Sequence, residues 1–258
     1  MSDEWNFYFH QLGEHTASTF VDLGIHGDVP LGDRPILLRV RLQMLVPRED
    51  GLSSSAEYNV LKKIEDHLVD TLKSSVRAQY VGRTTADSFR EFCFYVPKVV
   101  KQTQIAQALR SFPEYAFEVW CEEDGSWRHY REVLYPSDEE FETIKNLGVL
   151  EALEKHGDAL KEARPVTHWS FFKTDADRRS FLGDALELGF SIQDLHEDGP
   201  EDFRFVACLE RDDHVDYTSI NSVVLDLFRL TENHRGTYDG WETQVVEGCE
   251  SSDCEQAE

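Results

Sequence analysis

The sequence predicts an α+β fold in which one β-α-β-β-α-β order of elements occurs twice. Short segments alternate apolar and polar residues with the period of two that suits a half-buried strand. Longer segments repeat apolar residues at the three- and four-residue spacing of an amphipathic helix. These segments follow the same order between residues 36 and 120 as between residues 166 and 246. Because this is the order of a split βαβ sandwich, we expect two tandem ferredoxin-like domains. Each would carry two helices on one face of its sheet and leave the other face free.

The elements of the first half are short and rich in aromatic and β-branched residues, which are typical of strands. The predicted strands span 5–9, 19–23, 36–44, 76–82, 90–96 and 115–120. The predicted helices span 56–73 and 101–111. The first helix has an apolar stripe from Val60 to Leu72, and Ser54 with Glu57 would start it as a capping box.

The second half repeats this order after a helix that we predict over 137–157, where Ser137 and Glu140 would form the capping box. The predicted strands span 166–172, 190–195, 203–209 and 238–246, and the predicted helices span 174–188 and 215–232. Gly189 suits the end of a helix. We interpret Asp212 and Asp213 as a turn leading into a helix N-terminus, where carboxylates are favoured by the helix dipole.

Charge is distributed unevenly along the chain. The 50 acidic and 26 basic residues give a net charge of −24. Residues 1–136 contribute −5 and residues 137–258 contribute −19. This shift places the domain boundary near the helix over 137–157. We therefore expect an N-terminal domain over 1–136, a connecting helix over 137–157, a second domain over 158–246 and a disordered acidic tail over 247–258.

The acidic second half is unsuited to nucleic acid, because phosphate contacts dominate such binding and like charges repel. A field of this sign attracts cationic partners instead, such as a segment of protein rich in arginine and lysine. The charge alone is equally consistent with a role in solubility.

The motifs that would indicate an enzyme are absent from the sequence. It has no Gly-x-Ser-x-Gly, no glycine-rich phosphate loop and no dinucleotide fingerprint. His10 with His15, and the Asp-Asp-His run over 212–214, do not supply the ligands of a zinc site, so we expect neither metal nor cofactor. Five scattered cysteines favour a reducing, cytoplasmic setting, and no apolar run is long enough for a membrane helix.

Several motifs carry a resemblance to known families. The second half contains Gly157-Asp158, Val166-Thr167-His168-Trp169 with Phe172, Gly189-Phe190, and Gly-x-Tyr-Asp-Gly-Trp-Glu over 236–242. With these motifs it resembles the ribonuclease E regulator B family. The first half contains Trp5-x-Phe7-Tyr8, Arg34-Pro35, Asp50-Gly51-Leu52, Val81-Gly82-Arg83-Thr84-Thr85, Asp124-x-x-Trp127-x-x-Tyr130 and Leu134-Tyr135-Pro136. It resembles an uncharacterised domain family that is often joined to the regulator domain.

The resemblance implies a non-catalytic protein that inhibits ribonuclease E by binding its disordered, arginine-rich scaffold region and so modulates RNA turnover. The candidate partner-binding residues are Trp169, Tyr238, Asp239, Trp241 and Glu242, with the acidic turn residues Glu197, Asp198, Glu201 and Asp202. Tryptophans are typical interface anchors when they lie on an open sheet face. We favour a core position for Trp169 and an exposed position for Trp241. The acidic turn is either a solvated hairpin turn or a docking point for arginines.

Two alternatives remain open for the chain. The N-terminal domain is a small-molecule binder or an enzyme of unknown activity if Arg34 and the Gly-Arg-Thr-Thr run over 82–85 bind an anion, with His10 or His15 as a base. The second alternative is that the chain is a structural or dimer-forming module that uses an open sheet face.

Overall fold

The computed structural model describes residues 2–200 and 202–246, and the chain divides into two compact units, Met1–Glu140 and Phe141–Glu258. Glu201 and the acidic segment over 247–258 lie outside the described residues. Both units are built from an antiparallel sheet and helices, so the chain is α+β, as predicted. None of the described helices is both long and apolar enough to cross a membrane.

The first unit contains a six-stranded sheet. Its elements are β1 (Trp5–Leu12), β2 (His15–Asp22), β3 (Ile36–Gln43), α1 (Ser55–Val76), β4 (Gln79–Ala86), β5 (Phe89–Val96), α2 (Gln102–Ala108) and β6 (Phe117–Glu123), followed by a π-helical turn over Tyr130–Leu134. The strand order is β1-β2-β4-β5-β3-β6, and all neighbours are antiparallel. The hairpin of β1 and β2 therefore extends the sheet beyond β4.

One face of this sheet forms the core with α1 and α2. Leu61, Ile64 and Leu68 of α1 pack on alternate residues of β3 and β5, such as Val40 and Phe94. Each of these five side chains is fully buried or nearly so, which removes their apolar surface from water and stabilises the unit.

An aromatic segment, residues 124–135, lies on the opposite face of the same sheet. The Trp127 ring stacks on Tyr95 at 3.8 Å between ring centres, and both side chains are buried. The Tyr130 hydroxyl donates to the carbonyl oxygen of Asp22 at 2.6 Å. The expectation that the first half leaves this sheet face free is therefore wrong along its central strands, because its own chain returns across them.

Asp124 fixes the start of that segment. Its carboxylate accepts from the Tyr95 hydroxyl at 2.6 Å and from the backbone N–H groups of Arg128 and His129 at 2.8 and 2.9 Å. Burial opposes ionisation, but these hydrogen bonds outweigh it and hold the pKa of Asp124 below its ordinary value. The spacing of Asp124, Trp127 and Tyr130 thus has a structural explanation. Asp124 anchors the start of the segment, and the two aromatic side chains cover the sheet face.

The second unit contains a four-stranded sheet. Helix α3 (Asp138–Lys155) precedes β7 (Ala163–Phe172), α4 (Asp175–Glu187), β8 (Ser191–His196), β9 (Phe205–His214), α5 (Tyr217–Asn233) and β10 (Gly236–Thr243). The strand order is β10-β7-β9-β8, again antiparallel throughout, so β7 and β9 are central and β10 and β8 are edges. Helices α4 and α5, with Leu150 and Leu153 of α3, belong to the same core cluster as the sheet.

Two local predictions are wrong for clear reasons. The strand expected over 76–82 begins only at Gln79, because Arg77 adopts a left-handed conformation (φ 58°) and ends α1 after Val76. Asp212 and Asp213 lie within β9 and not in a turn; the Arg211 guanidinium pairs with the Asp213 carboxylate at 2.9 Å. Asp216 is the residue that caps α5.

Asp158 links the start of β7 to the segment that follows β10. Its buried carboxylate accepts from the Arg164 guanidinium at the start of β7 and from the backbone N–H groups of Leu160 and Val246, both at 2.8 Å. The Arg164 guanidinium also donates to the carbonyl oxygen of Gln244 at 3.0 Å. These donors, Arg164 first, hold the pKa of Asp158 well below its usual range.

We predict that Asp158→Asn destabilises the chain by about 3 kcal/mol at pH 7, because it leaves the buried Arg164 charge without its carboxylate. The wild-type carboxyl binds a proton more weakly when folded than when unfolded. Its stabilisation is therefore complete above the unfolded pKa of about 4 and is lost as the pH falls through the lower folded pKa. Asp158→Asn should accordingly lose less stability than the wild type between about pH 5 and pH 3. Urea unfolding followed by circular dichroism at several pH values measures both effects.

Asp226→Asn is the control, because Asp226 is exposed on α5. It should leave both the stability and its pH dependence close to those of the wild type. Equal pH dependence of Asp158→Asn and the wild type would contradict the role of Asp158.

Candidate functional site

The Tyr-Asp-Gly-Trp-Glu run over 238–242 lies on the edge strand β10 and contains a β-bulge. Tyr238 pairs with Ser170 of β7 and Gly240 pairs with Trp169, so Asp239 is an extra residue in the ladder. Gly240 has a φ of 135°, a conformation that favours glycine. Because the extra residue resets the alternation of faces, Tyr238 and Trp241 both point to the helix side of the sheet.

The Trp241 side chain is held by a chain of buried hydrogen bonds. Its Nε1 donates to Asn146 Oδ1 of α3 at 2.7 Å, and Asn146 Nδ2 donates to Asn221 Oδ1 of α5 at 2.8 Å. Asn221 Nδ2 donates in turn to the carbonyl oxygen of Tyr217 at 2.7 Å. This chain of polar side chains connects the edge strand to two helices within the second unit.

Tyr238 makes the second buried contact of the run. Its hydroxyl oxygen lies 2.8 Å from Nδ1 of His168 on the neighbouring strand. Burial, and then the charge of Arg211, lowers the pKa of His168 to about 3, so the imidazole is neutral at physiological pH. His168 and Tyr238 therefore form a neutral polar pair within the core.

The expected exposure of Trp241 is therefore wrong. Trp241 is 8% exposed and Tyr238 is 4% exposed, and both belong to the core cluster. The favoured core position of Trp169 is also wrong, because its side chain is only half-buried and alternates with His168 onto the face away from the helices. The bulge at Asp239 turns Trp241 toward the core. Trp169 lies on the other face because its position in β7 alternates with that of the buried His168.

The face of the second sheet opposite the helices combines aromatic and acidic side chains. Trp169 and Phe171 of β7 are half-buried on it, with Cys208 of β9 beside Trp169 in the ladder. We call this set the acidic aromatic face, and its carboxylates are those of Asp194, Glu210, Asp239 and Glu242.

Three of these carboxylates lie close enough to the Cys208 thiol to act on it. Burial first, and then the charges of Asp194, Glu242 and Glu210, raise the pKa of the Cys208 thiol. Within the described part of the chain, no lysine or arginine forms an ion pair with any of these three groups or with Asp239. The acidic aromatic face therefore holds several carboxylates that have no ion-pair partner among the described residues, and their field attracts cations from outside.

A pocket of about 240 Å³ opens beside Trp169 between β10 and α3. Its lining includes Trp169, Lys145 and the carboxylate side chains of Glu142, Asp239 and Glu242. The Glu142 carboxylate already binds Lys145 at 2.7 Å, which leaves two carboxylates beside an indole ring. Such a combination suits a guanidinium, which stacks on an aromatic ring while donating hydrogen bonds to carboxylates.

The acidic turn between β8 and β9 is partly neutralised by its own neighbours. The Glu197 carboxylate pairs with Arg204 at 3.5 Å, and the Asp198 carboxylate contacts His196. Asp198 and Asp202 are exposed, and Glu201 lies outside the described residues. The turn therefore offers fewer free carboxylates than its sequence indicates.

Sequence reasoning missed the residues that carry the buried network and one further cluster. Asn146 and Asn221 lie in helices far along the chain from Trp241, and no spacing rule connects them. In the first unit, ligand atoms of Glu91, Cys93 and His129 lie within 4.8 Å of one another. The Arg39 guanidinium lies 3.6 Å from the Glu91 carboxylate, and its charge opposes a cation there.

Residues 3–135, just over half of the chain, match a family of unknown function, DUF695. The chain belongs to this DUF695 family. Residues 143–243 match the family described as Regulator of ribonuclease activity B. Both resemblances predicted from the sequence are therefore confirmed. We call residues 143–243 the regulator B domain; its match begins inside α3 and so includes Asn146. No curated protein matches the chain.

We predict that truncation of the two tryptophans of the regulator B domain destabilises the chain to different extents. Trp241→Ala removes a buried ring and leaves Asn146 without its donor, so it should destabilise the chain by about 3–5 kcal/mol. Trp169→Ala removes a half-exposed ring and should cost about 1 kcal/mol or less. Chemical unfolding monitored by circular dichroism compares the two variants with the wild type. Equal losses of stability would contradict the different positions of the two rings.

Proposed function

We propose that this chain is a non-catalytic regulator that inhibits ribonuclease E by binding a basic, flexible protein segment on its regulator B domain. The family match supports a regulatory role in ribonuclease activity. The observation that carries the binding mode is the acidic aromatic face, where several carboxylates without ion-pair partners surround the half-buried Trp169. An arginine-rich segment supplies the complementary charge and the planar groups that stack on an indole ring.

In this proposal, the candidate residues divide into two roles. Trp169, Asp239 and Glu242 contact the partner, because they lie on the acidic aromatic face or at its rim. Tyr238 and Trp241 act from the core by holding β10 in place. The turn residues Glu197, Asp198, Glu201 and Asp202 contribute to the negative field around the domain more than to direct contacts.

The same proposal assigns each half to a ferredoxin-like domain. In the regulator B domain the first and third strands of the β-α-β-β-α-β order are central, and in the first unit β3 and β5 hold the same positions. The proposed domains are 1–136 and 158–246. The helix over 137–157 connects them in sequence and packs with Asn146, Leu150 and Leu153 against the second domain. Free Cys93, Cys121 and Cys208 support a cytoplasmic location.

The test is calorimetric titration of the full chain with the arginine-rich scaffold segment of ribonuclease E at low and high salt. Binding should be detectable near 50 mM salt and weaker by about tenfold near 300 mM, because added ions screen charge attraction. Affinity that stays constant across this range would contradict the electrostatic mechanism. Absence of binding at low salt would contradict the proposed partner.

Single variants locate the contact on the domain. Glu242→Gln should weaken binding about threefold to tenfold, and Trp169→Ala should weaken it by about tenfold or more. Glu187→Gln is the matched control, because Glu187 is exposed on α4, the helix side of the sheet, and loses the same charge. Equal effects of Glu242→Gln and Glu187→Gln would indicate a diffuse field and not a docking face. An RNA-cleavage assay with ribonuclease E should rank the variants in the same order as inhibitors.

A further inference from the structure

A cavity of about 540 Å³ lies in the first unit, between the hairpin of β1 and β2 and helix α1. It exists because the hairpin extends the sheet past the edge that the helices cover. Its size is within the range of small-molecule sites in proteins. The cavity is independent of the acidic aromatic face, because all of its lining residues belong to the first unit.

Two arginines in the wall of this cavity share a single carboxylate. The Arg83 Nε donates to Glu65 Oε2 at 2.7 Å, and Arg90 Nη1 lies 3.9 Å from the same oxygen. The other Glu65 oxygen accepts from the Tyr80 hydroxyl at 2.7 Å. Arg90 is only 2% exposed, and its remaining polar contacts are the hydroxyl groups of Thr85 and Ser53, both at 3.1 Å.

These contacts leave an excess of positive charge in the buried part of the cavity wall. Burial, followed by the neighbouring charge of Arg83, lowers the pKa of Arg90 to about 10, yet the guanidinium stays charged at pH 7. Lys62 adds a third cation to the lining and Asp66 a second carboxylate, while Arg48 pairs with Asp50. The wall thus holds one more cation than carboxylate in a chain whose net charge is −24.

The hairpin side of the cavity is aromatic. Phe7 and Phe9 meet edge to face at 5.8 Å, and both line the cavity with Phe20. The Arg83 guanidinium lies 5.0 Å from the centre of the Phe20 ring, which places a charged donor directly beside an apolar surface. A ligand that fits both walls must carry an anionic group at one end and an apolar body at the other.

We propose that this cavity binds a small organic anion, whose phosphate or carboxylate group is held by Arg83 and Arg90 and whose aromatic body lies on Phe7, Phe9 and Phe20. Guanidinium groups suit oxyanions because they donate two parallel hydrogen bonds. Of the groups that the sequence offered for such a role, Arg83 and Thr85 line the cavity. Arg34 instead binds Asp33 at 2.7 Å, and the His10 imidazole contacts Thr19 at 3.0 Å.

The test is thermal shift and calorimetry on the full chain with four probes: phenyl phosphate, benzoate, inorganic phosphate and benzyl alcohol. Phenyl phosphate or benzoate should raise the melting temperature at millimolar concentration. Inorganic phosphate should act more weakly, and benzyl alcohol should have no effect. The stronger of the two aromatic anions identifies the preferred oxyanion. No binding of either, or equal binding of benzyl alcohol, would overturn the proposal.

Variants tie the binding to the cavity. Arg83→Gln should weaken binding of the preferred anion by about tenfold or more, because it removes a charged donor. Lys62→Gln, at an exposed position of α1, should weaken binding about threefold and should not disturb the fold. Lys63→Gln is its matched control, since Lys63 is exposed on the same helix but does not line the cavity. Equal affinities of the Lys62 and Lys63 variants, together with an unchanged affinity in folded Arg83→Gln, would contradict the site. Neither result depends on whether the regulator B domain binds ribonuclease E.

Discussion

The regulator B domain depends on the hydrogen-bond chain from Trp241 through Asn146 to Asn221. Each of these polar groups is buried, and a buried donor or acceptor without a partner costs about 1–3 kcal/mol. The edge strand and the two helices must therefore be in place together, which favours one cooperative arrangement over partial ones. This constraint also makes α3 part of the domain's interior and not merely a connection before it.

The same constraint separates structure from binding within one short motif. Because the bulge at Asp239 turns Tyr238 and Trp241 inward, the carboxylates of Asp239 and Glu242 are the parts of the motif that solvent reaches. The chain's strongest sequence feature is thus mainly a folding element, and its recognition chemistry depends on the less conspicuous Trp169 of the neighbouring strand. The charge at the cavity of the first unit has the opposite sign to that of the acidic aromatic face, because arginines outnumber carboxylates in its lining.

Periodicity was sufficient to predict the α+β class and most elements, because strand and helix spacings are local properties of the chain. It failed where one residue changes the register, as at Arg77 and Asp239. It also failed where contacts join distant positions: Asn146 with Trp241, or Arg83 and Arg90 with Glu65. The sequence offered Arg83 as a candidate for binding an anion, but the cavity itself requires the three-dimensional position of the hairpin.

Both edges of the second sheet are irregular. The pairing of β10 with β7 shifts at Asp239, and the pairing of β8 with β9 shifts between Ile192 and Asp194. A strand from another molecule needs a regular row of free N–H and C=O groups to extend a sheet, and such shifts interrupt that row. The domain is thereby protected against edge-to-edge aggregation. An extended peptide has correspondingly little to gain by adding itself as a fifth strand, so recognition by backbone pairing is disfavoured and side-chain chemistry must supply the specificity.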